Sequence, residues 1–218
     1  MSIAENVARL RREIPDHVRI VAAAKTRSVD DIKAALDAGI TDFGENYVQE
    51  AESIRDGLGD IADRATWHLI GHLQTNKVNK ALALFDLIQT LDSLKLAQAI
   101  AKRTEVRLPV LIEINSGREP QKTGVVPEEA ESLIREIAGL EKIEIRGLMT
   151  MGPRFGDPEE ARPYFRETRK LFDALTRLEV PGVTMDILSM GMSNAYRIAI
   201  EEGSTMIRPG SILFSPRS

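Results

Sequence analysis

Residues 18–43 read VRIVAAAKTRSVDDIKAALDAGITDF, and they carry one complete strand–helix–strand unit. Residues 18–24 (VRIVAAA) are a short apolar run with β-branched side chains, the pattern of a buried strand. Ser28 and Asp30 are helix-start residues, and Ile32, Ala35 and Leu36 form the stripe of a helix that ends at Gly39. Residues 40–43 (ITDF) then open a second strand. Consecutive strands separated by a helix point to a parallel sheet.

The same alternation runs outward in both directions. Upstream, Ile3, Val7, Leu10 and Ile14 place one apolar stripe on a helix that Pro15 and Asp16 end. Downstream, strands are predicted over 65–70, 85–90, 108–114, 143–149, 184–188 and 204–208. Helices fall between them, over 45–58, from Gln74, over 94–102, from Pro127, over 158–178 and over 195–201, with Pro127 an expected first-turn proline. Eight strands match a closed (β/α)8 barrel of the TIM type. The rival, an open doubly wound sheet, is disfavoured because no G-x-G-x-x-G turn follows the first strand. No composition break divides the chain, so residues 1–218 are expected to form a single barrel domain with an N-terminal helix.

The chain has 43% hydrophobic and 28% charged residues with a formal net charge of -4, which excludes a disordered chain and argues against a nucleic-acid binder. Zero cysteines remove disulfides, thiolate metal sites and thiol nucleophiles together, as in a reducing compartment. The stretch Met1-Ser2-Ile3-Ala4-Glu5-Asn6 lacks a secretory pattern, and no apolar run approaches the roughly 20 residues of a membrane span. A cytoplasmic protein with no membrane anchor is expected. The helical exterior gives no large apolar patch, so a monomer is expected too.

In such a barrel, chemistry sits at the C-terminal ends of the strands. Lys25 ends the first strand after three alanines. In apolar surroundings a lysine loses its proton more readily and attacks aldehydes to form Schiff bases. The alternative is a solvent-facing lysine where strand meets loop. Residues 188–195 (LSMGMSNA) and 207–211 (IRPGS) put Gly and Ser where the last two strands lead into helices, a frequent phosphate site in barrels, although such residues are also ordinary turn formers. His68 and His72 are four apart, but across a strand end and a turn and without the H-E-x-x-H pattern, so no metal is expected. His17 reads as surface, Leu148 and Met149 as core packing, and Lys77 and Lys122 as solvated loop lysines.

Taken together, AAAKTRS (22–28), FGENYVQE (43–50), WHLIGHLQTNK (67–77), the Asn115, Glu119, Lys122, Gly124 spacing, RGLMTMG (146–152), SMGMS (189–193) and STMIRPGSILF (204–214) resemble the pyridoxal phosphate homeostasis protein family. The resemblance spans nearly the whole chain, and the W-H-x-I-G-x-L-Q-x-N-K string is its most specific part. It implies a relative of the alanine racemase N-terminal barrel that carries pyridoxal 5′-phosphate as an aldimine on Lys25. It further implies that Ser189, Ser193, Gly210 and Ser211 hold the phosphate, that Arg208 faces the pyridine nitrogen, and that Asn46, His68 and Met149 line the cofactor's surroundings. Pro209 departs from the family pattern and removes one backbone donor beside the phosphate.

The function implied is cofactor homeostasis: holding and delivering pyridoxal phosphate, with small amines and apo pyridoxal enzymes as partners and little or no turnover. Arginine can only donate, so at the ring nitrogen it weakens the electron sink that pyridoxal enzymes use. The alternative is an amino-acid racemase or related pyridoxal enzyme using Lys25 as one base. A phosphate-binding barrel without the cofactor is the blandest reading.

Overall fold

The computed structural model describes residues 1–152 and 156–214. Its centre is a closed parallel barrel of strands β1 (Arg19–Ala23), β2 (Asp42–Glu45), β3 (Thr66–Leu69), β4 (Leu87–Leu91), β5 (Leu108–Ile114), β6 (Ile143–Thr150), β7 (Val183–Met192) and β8 (Met206–Arg208), paired in sequence order. Closure comes from Arg19 and Ile20 of β1 pairing with Met206 and Ile207 of β8. Helices α1 (Ile3–Glu13), α2 (Val29–Asp37), α3 (Val48–Leu58), α4 (Val78–Leu84), α5 (Leu94–Ala101), α6 (Pro127–Ala138), α7 (Arg162–Arg177), α8 (Tyr196–Glu201) and α9 (Ser211–Phe214), with short 3-10 turns at Gly59–Arg64, Thr75–Lys77 and Pro158–Ala161, complete the element order among the described residues. This is the expected (β/α)8 barrel. No described helix is long and apolar enough to cross a membrane.

Local chemistry explains the element ends. Ser2 and Ser28 each close a capping box, with Glu5 and Asp31 returning the bond, so α1 and α2 begin where the sequence places a hydroxyl. The helix expected over 158–178 starts instead with a 3-10 turn, Pro158–Ala161, capped by Asp157, before α7 proper. The strand expected over 184–188 runs on to Met192, so Ser189 to Met192 belong to β7 and not to the turn after it.

Strand alternation splits the core in two. Val21, Leu87, Leu111, Met149, Ile187 and Met206 point inward and form a small cluster on the barrel axis. The opposite faces pack against the helices, where the rings of Phe43 and Trp67 lie 5.6 Å apart and the Trp67 indole N–H donates to Ala62 O at 3.0 Å. Helix α1 is joined to the last helix by a buried Asn6, whose side-chain amide donates to Leu213 O at 3.0 Å. Asn6→Ala leaves that buried carbonyl without this donor and is expected to lower stability by about 1–3 kcal/mol. Urea unfolding of the variant checks this; an unchanged midpoint contradicts it.

Candidate cofactor-binding site

A cavity of about 730 Å3 opens at the C-terminal mouth, the functional end of such barrels. A second hollow of about 520 Å3 lies at the opposite mouth, around Arg11, Arg19, Thr41 and Asp42. The wall of the first includes Lys25, Arg27, Tyr47, Met151, Gly191, Ser193, Arg208, Gly210 and Ser211. Three of these residues are cations, and none of the described residues lining the cavity is a carboxylate. That charge pattern concentrates anions.

Lys25 lies two residues beyond β1, and its side chain is exposed, not enclosed by apolar surroundings. The main chain beneath it is fixed. Ala23 N–H donates to Pro209 O at 2.9 Å and Ala24 N–H to Gly44 O at 2.8 Å. Thr26 adopts a left-handed backbone, φ 60°, which is uncommon for a β-branched residue and marks a position held against strain. Its hydroxyl donates to Lys25 O at 2.6 Å and its N–H to Glu50 Oε2 at 3.3 Å.

The two Ser-Gly segments meet as adjacent walls. Ser193 Oγ accepts the N–H of Gly210 at 2.9 Å and of Ile212 at 3.4 Å, so one hydroxyl joins the end of β7 to the β8 turn. Gly191 has φ 90°, and a Cβ there would lie 2.5 Å from the Ala199 methyl and 3.0 Å from Tyr196 Cα. Only glycine lets the chain turn this close to α8.

Arg208 reaches the cavity from β8 while almost wholly buried. It donates to Ser189 Oγ at 2.5 Å and to Thr150 O at 2.9 Å. Burial lowers its pKa to about 10, with the Glu113 charge opposing, so it remains a cation at neutral pH. Glu113 is buried on β5, accepts the Thr123 hydroxyl at 2.9 Å, and keeps Oε2 without a partner among the described residues. Burial pushes it up to about 7.

The remaining candidates separate. Ser189 is fully buried, and its hydroxyl is engaged by Gln89 and Arg208. His68 lies inside the barrel between Asp42 and Gln89, and Met149 belongs to the axial cluster. Asn46 is half-buried just past β2, its main chain against Gly71. His72 sits at the rim, half-exposed, 3.8 Å from Asp92, and so does not face the interior His68. Lys122 pairs with Glu119 at 2.5 Å.

Sequence reasoning passed over Gln89, Asp42, Glu45 and Glu113. For Gln89 and Glu113 the signal is a polar side chain within a mostly apolar strand, whereas β2 (DFGE) carries two carboxylates in four residues and offers no such contrast. Glu45 is fully buried; Gly44 beside it faces Val21 on the barrel axis, so Glu45 faces α3. Neither of its carboxylate oxygens has a partner among the described residues. Burial, then the Glu50 charge, push it up to about 8, against a weaker pull from the Asn46 N–H. Between its ordinary value of 4.5 and about 8 the folded chain holds a proton the unfolded chain has lost, so stability falls across that window as pH rises. Glu45→Gln is therefore expected to flatten the pH profile and to exceed the parent above pH 8 by on the order of a few kcal/mol. Urea unfolding at about pH 5 and about pH 9 measures it, and parallel profiles contradict it.

Fold and site together define a barrel domain of the alanine racemase type, and the family model of the alanine racemase N-terminal domain matches residues 1–218. The pyridoxal phosphate homeostasis protein of Aquifex aeolicus is 40% identical over 202 residues, covering 91% of this chain and 87% of that protein. Its Escherichia coli counterpart is 34% identical over 232 residues, covering 99% and 97%. The chain belongs to the pyridoxal phosphate homeostasis protein family. Among solved structures, PipY of Synechococcus elongatus with pyridoxal phosphate bound is 34% identical with a TM-score of 0.89, over 98% of this chain and all (100%) of that one. An alanine racemase of Clostridium difficile shares the fold at 18% identity and TM-score 0.80, with 99% of this chain covering 56% of that one.

Proposed function

We propose that this chain is an intracellular protein of cofactor homeostasis that holds pyridoxal 5′-phosphate at Lys25 and passes it on, with little or no turnover. The observation that carries this reading is the cavity wall: a primary amine, two guanidinium groups and two joined Ser-Gly segments, with no carboxylate among the described lining residues. The pyridoxal phosphate bound in PipY of Synechococcus elongatus and the names of the relatives support it.

The residues fit the group. The cavity volume falls within the range of small-molecule sites, roughly 300–1,000 Å3. Ser193, Gly210 and Ser211 would receive the phosphate, Arg208 would serve the ring nitrogen and Asn46 would lie toward the ring; the shared cavity wall of the first four supports this. When bound, the cofactor supplies an aldehyde that condenses reversibly with amines. Lys25 presents the amine from a fixed main chain. Arg208 donates and never accepts, so it leaves a ring nitrogen without a proton, which favours storage over electron-sink chemistry. Small amines and apo pyridoxal enzymes are the recipients this chemistry suits.

Tyr47, on the same wall as Lys25, keeps an amino-acid racemase in view, since two-base racemisation needs a second proton-carrying group. Loss of optical activity across an amino-acid panel distinguishes the two. The deciding experiment is borohydride reduction of the loaded protein, digestion and mass spectrometry. The pyridoxyl group is expected on Lys25; a label confined to Lys77 or Lys122 overturns the reading.

A further inference from the structure

A line of buried polar side chains runs through the barrel from one mouth to the other. Arg208 Nη1 donates to Ser189 Oγ at 2.5 Å, and Ser189 Oγ donates to Gln89 Oε1 at 2.7 Å. Gln89 Nε2 lies 3.0 Å from His68 Nδ1, and His68 Nε2 lies 3.0 Å from Asp42 Oδ1. His68, Gln89 and Ser189 are fully buried, and Asp42 is 8% exposed at the rim of the far hollow.

The two ends give this line one polarity. Arginine has donors only, and an ionised carboxylate has acceptors only. Ser189 must therefore accept from Arg208 and send its single proton to the Gln89 oxygen. The Gln89 amide N–H then faces His68 Nδ1, which accepts, so His68 carries its proton on Nε2 and gives it to Asp42. Asp42 is suited to the acceptor end. Burial pushes its carboxyl up, but His68, Thr41 and Arg19 outweigh that and hold it below the ordinary value. At the other end, the Arg208 hydrogen bonds to Ser189 Oγ and Thr150 O fix its orientation, while the Glu113 charge also acts on it.

We propose that Asp42, at the opposite mouth of the barrel, is a positioning residue for the Arg208 guanidinium, acting through His68, Gln89 and Ser189. The effect on cofactor binding rests on the proposed function; the orientation of Arg208 does not. Asn at position 42 can donate as well as accept, so the polarity is no longer imposed from that end. Every link from Ser189 to position 42 then has two arrangements, and although Arg208 still donates, Ser189 no longer offers it one fixed lone pair.

The test uses Asp42→Asn and Gln89→Met, which interrupts the same line at its middle. In the ligand-free protein, 15N-edited spectra are expected to show wild-type His68 as the Nε2–H tautomer. Asp42→Asn is expected to give a mixed tautomer and shifted Arg208 guanidinium signals. On loading, both variants are expected to show a shifted chromophore band and a rise of about tenfold in the pyridoxal phosphate dissociation constant. The double variant is expected to be no worse than either single one. Ile134→Ala, a core change in α6 away from the line, controls for lost stability and is expected to move neither the band nor the Arg208 signals. Unmoved Arg208 signals in Asp42→Asn overturn the proposal, as do additive losses in the double variant. If Asp42→Asn fails to fold, Gln89→Met decides: unmoved Arg208 signals there overturn the proposal equally. A wild-type chain that takes up no pyridoxal phosphate overturns the reading of the cavity, while the ligand-free spectra still decide this one.

Discussion

Lys25→Ala is expected to abolish both the visible absorbance band of the loaded protein and its borohydride-dependent mass increase, while leaving the fold intact. The side chain is exposed at the cavity wall, and the bonds that fix this turn involve main-chain groups and Thr26, not the lysine amine. Surface changes of that kind stay within about 0.5 kcal/mol of the parent in stability. Arg208 and the Ser193, Gly210 and Ser211 turns remain, so residual non-covalent binding is expected, weaker by at least about tenfold. Absorbance titration, intact mass after reduction and a thermal melt measure the three parts. A variant that keeps the parent's band and label shows that another amine holds the cofactor.

Gly147→Ala is expected to cause the largest loss of stability of any single methyl added to the barrel. Gly147 has φ 149°, and a Cβ there would lie 1.8 Å from Ile187 O and 2.7 Å from its carbonyl carbon. Neither atom can yield, because Gly147 and Ile187 face each other across β6 and β7. The register shifts at this point: Ile145 pairs with Val183 but Gly147 with Ile187, an irregularity that bends β7 and needs the missing side chain. Overpacking and backbone strain together amount to about 3–5 kcal/mol. For a chain of this size that lowers Tm by roughly 6–20 °C. Calorimetry or guanidinium unfolding tests it, and a melt within a degree or two of the parent contradicts the geometry.

The fold was legible because its signal is local. Each strand–helix unit announces itself through apolar runs, hydroxyl caps and proline starts, and residues 108–114 give β5 to the residue. The error at β7 has a definite cause. Ser and Gly are the commonest turn residues, so SMGM reads as a turn; in a barrel, small inward side chains also let a strand continue past a crowded axis. The site was legible where residues close in sequence make it, as with Ser193 and the Gly210 turn at the ends of adjacent strands. It was not legible where partners are far apart. Ser189 and Gln89 are separated by 100 residues, and nothing in either strand states that a polar atom in one needs the other. At Lys25 the sequence left an enclosed and a solvent-facing amine both open, and the solvent-facing reading is the one the structure has: the strand ends at Ala23 and the side chain emerges into the open mouth.

The barrel is sealed by its first and last strands, and that seam is short, with two residue pairs in register. Lys25 and Arg208 stand at the ends of those same two strands. A molecule gripped by both therefore acts as a clasp across the join, and a ligand held only by the closed ring stabilises it in proportion to the logarithm of its concentration. A ribosome-bound chain lacks the receptor until its final strand has emerged, however much of the earlier barrel has already formed. In amide exchange, occupancy should slow opening at β1 and β8 first, well before it is felt at the opposite side of the ring.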